Sequence, residues 1–380
     1  MTTAYLEKRS INKQKLRIGL TEKHGMVKEY SLYPPEGIEY TFLESTKGSS
    51  PILRSPIKGY FRSYESKEHD LIEATLSPVF TPNNWIYSVA NFQEAMAFNL
   101  CGFPIPRSVR TAYMQHLFLK NNFKKLIFWS EAGRKTLENY GKVVDSRILE
   151  KTAVVHPAIR KVPENWINYN TDRINILFSG DFFRKGGINV IDVFEEIQVE
   201  YKHVNLILCC DENLDFNIQN VDIKNEYLRK IKKNRKIDFR GRIPRKEMLH
   251  NVLPQTDIFL LPTYAEAFGY TILEAMAYGI PVISTKISAI PEMIEHEKSG
   301  YLIDLSNYEC EMMFKGYVVE SIPNDFKRYI NEKLKKYLLL LIDSISLRKK
   351  LGSTGLALAQ SKFSFEVRNA AMNSIYQAAV

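Results

Sequence analysis

Two α/β domains built on parallel sheets are what this sequence predicts, on three grounds. The chain has 380 residues, more than the roughly 250 to 300 at which one core stops growing. Its apolar share of 45% and charged share of 25% are those of a globular protein. Its second half alternates short β-rich runs with helical patterns, the order that right-handed crossovers and a parallel sheet require.

Element by element, the first half offers strand-like runs at Leu16–Leu20, Trp85–Val89 and Lys125–Trp129. Ser130 then reads as an N-cap, Glu131–Tyr140 as a helix ended by Gly141, and Thr152–Val155 as another strand. The proline- and asparagine-bearing stretch Pro157–Asp172 reads as a linker. Residues 1–157 are therefore expected to form one lobe, 158–172 the linker, 173–360 a second lobe and 361–380 a closing helix. In the second half, strands are expected at Ile174–Phe178, Val204–Cys209, Ile237–Phe239, Ile258–Leu261, Val282–Ser284 and Tyr301–Ile303. Helices are expected at Ile188–Tyr201, Arg245–Leu253, Thr271–Tyr278 and Ile290–Glu297.

Composition narrows the function classes. No apolar run approaches the roughly 20 residues of a membrane span; the longest, Tyr337–Ile342, has six. Met1–Lys15 is polar and carries neither a signal nor an anchor, so a cytoplasmic protein is expected. Cys101, Cys209, Cys210 and Cys310 show no disulfide or zinc spacing. The net charge of +9 gathers at Arg229–Lys246, where ten of eighteen residues are Lys or Arg. Such a run suits phosphates, nucleic acid or an anionic membrane, or is a solvated helix face and loop.

The chemistry is concentrated in Pro262–Pro281, PTYAEAFGYTILEAMAYGIP. A loop carrying Glu266, Phe268 and Gly269 follows a strand and enters a helix near Thr271, which stops at Gly279. The N–H groups and positive dipole end of a helix's first turn suit a diphosphate, and Gly269 lets the backbone approach it. Glu266 and Glu274 are spaced to face one pocket, and carboxylates accept hydrogen bonds from sugar and ribose hydroxyls. Alone, either glutamate would read as a solvated side chain. A second loop, Gly180 to Gly187 with Arg184 and Lys185, stands at the end of another strand and can supply cations to a leaving diphosphate. Arg242 and Ile243, after Gly241, sit where backbone groups meet a nucleobase, or form an ordinary strand-to-helix turn.

These residues resemble the family 4 retaining glycosyltransferases, strongly across Ile174–Asp304 and faintly, in order, across the first 157 residues. The specific mark is an E-x7-E motif, Glu266 and Glu274 in EAFGYTILE, followed by EAMAYGIPVIST, IPEMI and GYLID. The resemblance implies the GT-B fold, two Rossmann-like lobes with parallel sheets facing a cleft and a C-terminal helix, Phe363–Ala379, crossing back to the first lobe. It implies that Glu266 contacts the donor sugar, Glu274 the ribose, and the backbone of Phe268, Gly269, Tyr270, Thr271 and Ile272 the phosphates. Lys185 with Arg184 would form the phosphate clamp beside Gly180. Asp181 departs from the pattern, standing where many relatives carry Arg, so the basic partner is taken as Arg184. On the acceptor side only His24 and Asn91 are nominated.

The expected activity is transfer of a sugar from a nucleotide-sugar donor to an unidentified acceptor with retention of anomeric configuration. No Asp-x-Asp pair is present, and neither a metal nor any cofactor is expected. An epimerase of the same fold and a non-catalytic basic protein binding nucleic acid are the alternatives, the second disfavoured because it has no use for Glu266, Glu274 and Lys185. The acceptor, whether a glycan, a lipid-linked glycan, a protein or a small molecule, is left open. Residues 309–345 appear as an added segment, within which Phe326–Leu341 has an apolar stripe and a basic remainder. Such a helix packs on its own domain or lies on an anionic bilayer, which would put the protein peripherally at the inner face of the membrane.

Overall fold

The computed structural model describes residues 15–23, 25–45, 62–97, 105–169, 172–216, 218–308 and 324–380. His24, Cys101, Cys310 and residues 309–323 of the added segment lie outside them. The chain forms two compact units, one of residues 1–129, 134–155 and 368–380, the other of 130–133 and 156–367.

The first unit is a six-stranded parallel sheet of β1 (Leu16–Leu20), β2 (Ile38–Phe42), β3 (Leu71–Thr75), β4 (Trp85–Val89), β5 (Phe123–Phe128) and β6 (Thr152–Val154). Their order is β2-β1-β3-β4-β5-β6. β1, β4, β5 and β6 answer the four runs read from the sequence; β2 and β3 were not foreseen. β2 is a half-exposed edge strand, and β3 is buried at all five positions yet carries Glu73, which breaks the apolar pattern. Successive side chains face opposite sides of the sheet. Trp85, Tyr87 and Val89 enter one core with Phe118 and Phe123, while Ile86 joins Ile18, Leu20 and Leu71 in another. That second core is completed by Met372, Tyr376 and Ala379 of the helix Phe365–Ala379.

Glu73 explains how this helix is held. Its carboxylate accepts from the Tyr376 hydroxyl, which also bonds Tyr40 at 2.7 Å. Burial pushes the Glu73 carboxyl up, against the pull of Arg368 and of the Tyr376 hydrogen bond. Arg368, also buried, lies with its guanidinium 3.5 Å over the Tyr30 ring.

Ser130 does cap the helix Glu131–Asn139, its Oγ accepting from Gly133 N at 2.9 Å. Gly141 is glycine for another reason than a left-handed turn. A Cβ there would come within 2.4 Å of Phe92, while Lys142 takes the left-handed φ of 55°.

The second unit is another parallel sheet, of β7 (Ile174–Ser179), β8 (Val204–Cys209), β9 (Ile237–Phe239), β10 (Ile258–Leu261), β11 (Val282–Thr285) and β12 (Gly300–Ile303). Its order, β12-β11-β10-β7-β8-β9, contains every strand read from the sequence. The helix Gly187–Ile197 ends earlier than expected, and Ile290–Met293 much earlier, because Ile294 is already extended. After Arg245 a single helical turn passes into a π turn at Met248–Val252 and a 3-10 turn at Leu253–Gln255. The helix Val221–Lys233 was missed: it buries only Tyr227 and Ile231, and seven of its thirteen residues are charged. Residues 157–169 belong to this unit, where Trp166 stacks on Tyr278 and Tyr169 OH donates to Gly279 O at 3.0 Å.

The helix Asn324–Asp343 buries Phe326, Ile330, Leu334, Leu338 and Leu341, packing on Gly187–Ile197 and on the helix Ile345–Lys362. The apolar stripe is thus spent inside the unit and is not offered to a bilayer, and Lys335 pairs with Glu196 at 2.8 Å. No described helix is long and apolar enough to cross a membrane. Its attachment centres on Asp192, which takes Lys327 at 2.6 Å, Lys230 at 3.0 Å and the Tyr227 hydroxyl at 3.0 Å.

Burial alone would push the Asp192 carboxyl up, and the hydrogen bonds and charges of Lys327 and Lys230 more than reverse it, holding it below the usual range. A carboxyl so lowered stabilises the fold above its unfolded pKa of about 3.9 and loses that contribution as pH falls through the folded value. Asp192→Asn is therefore expected to unfold at lower urea than the parent at pH 7, with the gap in midpoints narrowing as pH drops below about 4. A gap indifferent to pH would deny the ion pairs their role.

Candidate functional site

In an open parallel sheet, ligands bind beyond the carboxyl ends of the strands where the winding direction reverses. In the second unit that point lies between β7 and β10, since β7 has β8 on one side and β10 on the other. The two loops named from the sequence leave these two strands.

They meet with no side chain between them. Gly186 has φ +80°, and a Cβ on it would stand 2.1 Å from the Pro262 carbonyl oxygen; one on Gly187 would strike the Phe182 ring at 2.4 Å. Tyr264 N donates to Arg184 O at 3.0 Å, and the Tyr264 hydroxyl bonds Asn189 at the start of the next helix. Thr285 Oγ1 donates to Thr263 O at 2.6 Å and Ser288 Oγ to Ala267 O at 3.0 Å, fixing the second loop to β11 and the turn after it.

The apposition delivers Lys185 to Glu266, with Nζ 2.5 Å from Oε2 and 3.2 Å from Ala265 O, each side chain 12% exposed. Gly180, at φ +135°, leaves room for this, since a Cβ would lie 3.2 Å from Lys185 Cγ. Arg184 is placed differently. Its side chain is 47% exposed and its Nε lies 3.5 Å from Asp181 Oδ2, so the aspartate that departs from the family pattern is its partner. The structure therefore brings one of the two nominated cations to Glu266.

The helix after the second loop is Tyr270–Ala277, capped by Gly269 in the left-handed region at φ +94°. Phe268 and Ile272 are buried in the core, so their possible contribution to a ligand is backbone only. Ile272 N already donates to Gly269 O at 2.9 Å, and the Tyr270 hydroxyl donates to Ala158 O at 2.9 Å. Behind the helix start is a cavity of about 190 Å³ with Ser179, Ile243, Arg245, Met248, Thr271 and Glu274 among its walls.

Glu274 is 6% exposed and its Oε1 accepts from Arg245 Nε at 2.8 Å. Arg245 was not singled out from the sequence; it stood within a basic run whose composition says only that it is charged. Ile243 lines the cavity as expected. Arg242 is turned aside, 3.5 Å from Asp211 Oδ2 and 4.1 Å over the Phe216 ring. Four of the ten basic residues of the run pair with carboxylates: Lys230 with Asp192, Arg240 with Asp238, Arg242 with Asp211 and Arg245 with Glu274.

On the first unit the winding reverses between β1 and β3. Asn91 follows β4, one strand away; it is buried and its Oδ1 caps the helix Phe92–Ala95 by accepting from Glu94 N at 2.9 Å. The loop after β1 carries instead the Glu22–Arg62 pair at 2.9 Å and Thr21, whose carbonyl accepts from the Tyr64 hydroxyl at 3.2 Å. Among the described residues no group of three or more His, Cys, Asp or Glu side chains could hold a metal ion. Cys209 and Cys210, at the end of β8, are buried, which pushes the Cys209 thiol up to about 11.

Residues 164–310 match the sequence model of the glycosyl transferases group 1, the segment that contains both loops and the cavity. Over that segment the chain is similar to the family 4-like glycosyltransferases, and its two parallel sheets are those of the GT-B fold. Among curated proteins it is 26% identical over 269 residues to an uncharacterised glycosyltransferase of Methanocaldococcus jannaschii. That match takes in 69% of this chain and 65% of the relative, so the chain spans less than two thirds of its length. A glycosyltransferase structure from Rickettsia africae superposes with a TM-score of 0.61 at 16% identity, covering 96% of this chain and 98% of that one. The Anabaena protein HepE, solved in complex with UDP and glucose, gives a TM-score of 0.61 at 15% identity, with 96% and 100% covered. At such identities these structures speak to the fold.

The contact at Gly186 can be measured against a control. Gly37 shares a left-handed φ, +75°, but a Cβ there meets nothing within 4 Å. Gly37→Ala is expected to cost the conformational strain alone, about 1 to 3 kcal/mol, and Gly186→Ala clearly more, read as the shift in denaturant midpoint. Equal losses would show that the loops do not depend on the missing side chain.

Proposed function

We propose that this protein transfers a sugar from a nucleoside-diphosphate sugar to an acceptor hydroxyl, with retention of anomeric configuration and without a metal ion. The observation that carries this reading is the Lys185–Glu266 pair at the β7/β10 reversal, next to a cavity walled by Glu274 and the start of the helix Tyr270–Ala277. A nucleoside would occupy the cavity and the diphosphate the helix start. The bond from the anomeric carbon to the phosphate oxygen breaks, its electrons pass to the diphosphate, the acceptor oxygen forms the new bond on the same face, and the acceptor's proton passes to an oxygen of the departing diphosphate.

Each residue has a part in this scheme. Lys185 and the N–H groups of the helix's first turn meet the charge that develops on the leaving diphosphate, a preorganised form of electrostatic stabilisation. Glu266, already beside Lys185, orients the sugar through its hydroxyls and is assigned no nucleophilic role. Glu274 accepts from the ribose. Arg184, being half-exposed and paired with Asp181, would have to swing to join Lys185. The acceptor is proposed to be a glycan, free or lipid-linked. The nucleic-acid alternative has no use for the Lys185–Glu266 pair or for Glu274 at the cavity wall.

Calorimetry with UDP, GDP and ADP tests the donor site, and at least one is expected to bind. Lys185→Ala is expected to lower turnover with the matching nucleotide-sugar by roughly ten- to a thousandfold, the loss typical of one preorganised contact to developing charge. Wild-type turnover in that variant would remove Lys185 from the scheme. Activity is expected to survive EDTA; abolition by the chelator with rescue by magnesium would refute the metal-free reading.

A further inference from the structure

Glu274 poses a problem of geometry. It is a long side chain with three rotatable bonds, almost wholly buried, in a wall that also contains Leu177, Leu253 and Phe259. A buried carboxylate needs a partner, and one meant to accept from a diol needs its plane fixed as well. Arg245 supplies both. Its Nε donates to Oε1 at 2.8 Å, and its own freedom is limited because it opens a helical turn directly after Pro244 and lies 5.7 Å over the Tyr270 ring. Tyr270 is tied in turn to the Ala158 carbonyl at 2.9 Å.

We infer that Arg245 is a positioning residue for sugar-ring recognition: it holds Glu274 so that the carboxylate presents its remaining acceptor positions to the vicinal hydroxyls of a ribose in the cavity. The site thereby tells a ribonucleotide from its 2′-deoxy form. Each carboxylate oxygen accepts at two lone-pair directions, so an Oε1 bonded to arginine still has capacity for a hydroxyl. The planar guanidinium fixes orientation as a lysine ammonium, a point charge on a flexible stem, does not. This inference rests on the donor-site reading of the cavity.

The test uses whichever of UDP, GDP and ADP binds most tightly, together with its 2′-deoxy form, titrated by calorimetry into the full-length protein. The parent is expected to prefer the ribonucleotide by about tenfold or more, one hydrogen bond of roughly 1.4 kcal/mol. Arg245→Gln and Glu274→Gln are each expected to weaken the ribonucleotide about tenfold, leave the deoxynucleotide nearly unchanged and so collapse the ratio toward one. The double variant is expected to lose no more than either single one, since the two act as a unit. Arg245→Lys, which keeps the charge and guards against misfolding of the glutamine variant, is expected to fall between.

A merely structural role would lower both affinities alike, and that result overturns the inference. So does a parent without preference, or an Arg245→Gln protein that keeps the parent ratio while Glu274→Gln loses it. Failure of all three nucleotides to bind the parent is a different outcome: it defeats the donor-site reading itself and this inference with it.

Discussion

The candidate site depends on two loops from neighbouring strands touching through backbone. Because β7 and β10 are adjacent although two other strands, β8 and β9, lie between them in the chain, their loops leave the sheet side by side. Gly186 then permits an approach to Pro262 that any Cβ would block. Lys185 and Glu266, 81 positions apart in sequence, become partners only through that approach. The hydroxyls of Thr263, Thr285 and Ser288 bond backbone carbonyls around the second loop, so the carboxylate is carried on a braced turn.

Charge placed inside the protein follows one rule in three settings. Glu266 and Glu274 each have a cation from their own unit, Asp192 has two lysines and a tyrosine, and Glu73 has the hydroxyl of Tyr376 with Arg368 close by. Burying an ion is tolerable when partners replace its water. In the core of each unit the arrangement fastens a helix that comes late in the chain, Asn324–Asp343 to the second sheet's helices and Phe365–Ala379 to the first sheet. At the site it pairs Glu266 with Lys185 and Glu274 with Arg245.

The second unit was legible in the sequence because its strands are short, mostly apolar and joined by glycine-bearing turns, as at β10, Pro262 and Gly269. The first was less so. β3 hides a carboxylate whose partners, Arg368 and Tyr376, lie about 300 residues away, and no local pattern can disclose them. The motif spacing put Glu266, Glu274 and Lys185 around one locality, whereas the same reading could not tell that Arg184 would turn to Asp181 or that Arg245, not Arg242, would reach the cavity. Those choices are made by the direction in which a side chain leaves its turn, a property of backbone dihedrals that composition does not carry. The amphipathic pattern of Phe326–Leu341 was right about the helix and silent about what would cover it.

The place of Phe365–Ala379 has a bearing on synthesis. Its residues from Arg368 onward belong to the first unit, but 212 residues of the second, 156–367, are translated before them. At roughly 5 to 20 residues per second, ribosomal elongation leaves an interval on the order of 10 to 40 s. Throughout it the sheet of the first unit lacks the cover that Met372, Tyr376 and Ala379 give to Ile18, Leu71 and Ile86, and Glu73 lacks the hydroxyl it will accept from. The half of the protein that leaves the ribosome first therefore cannot complete its core until residues 368–380 have followed.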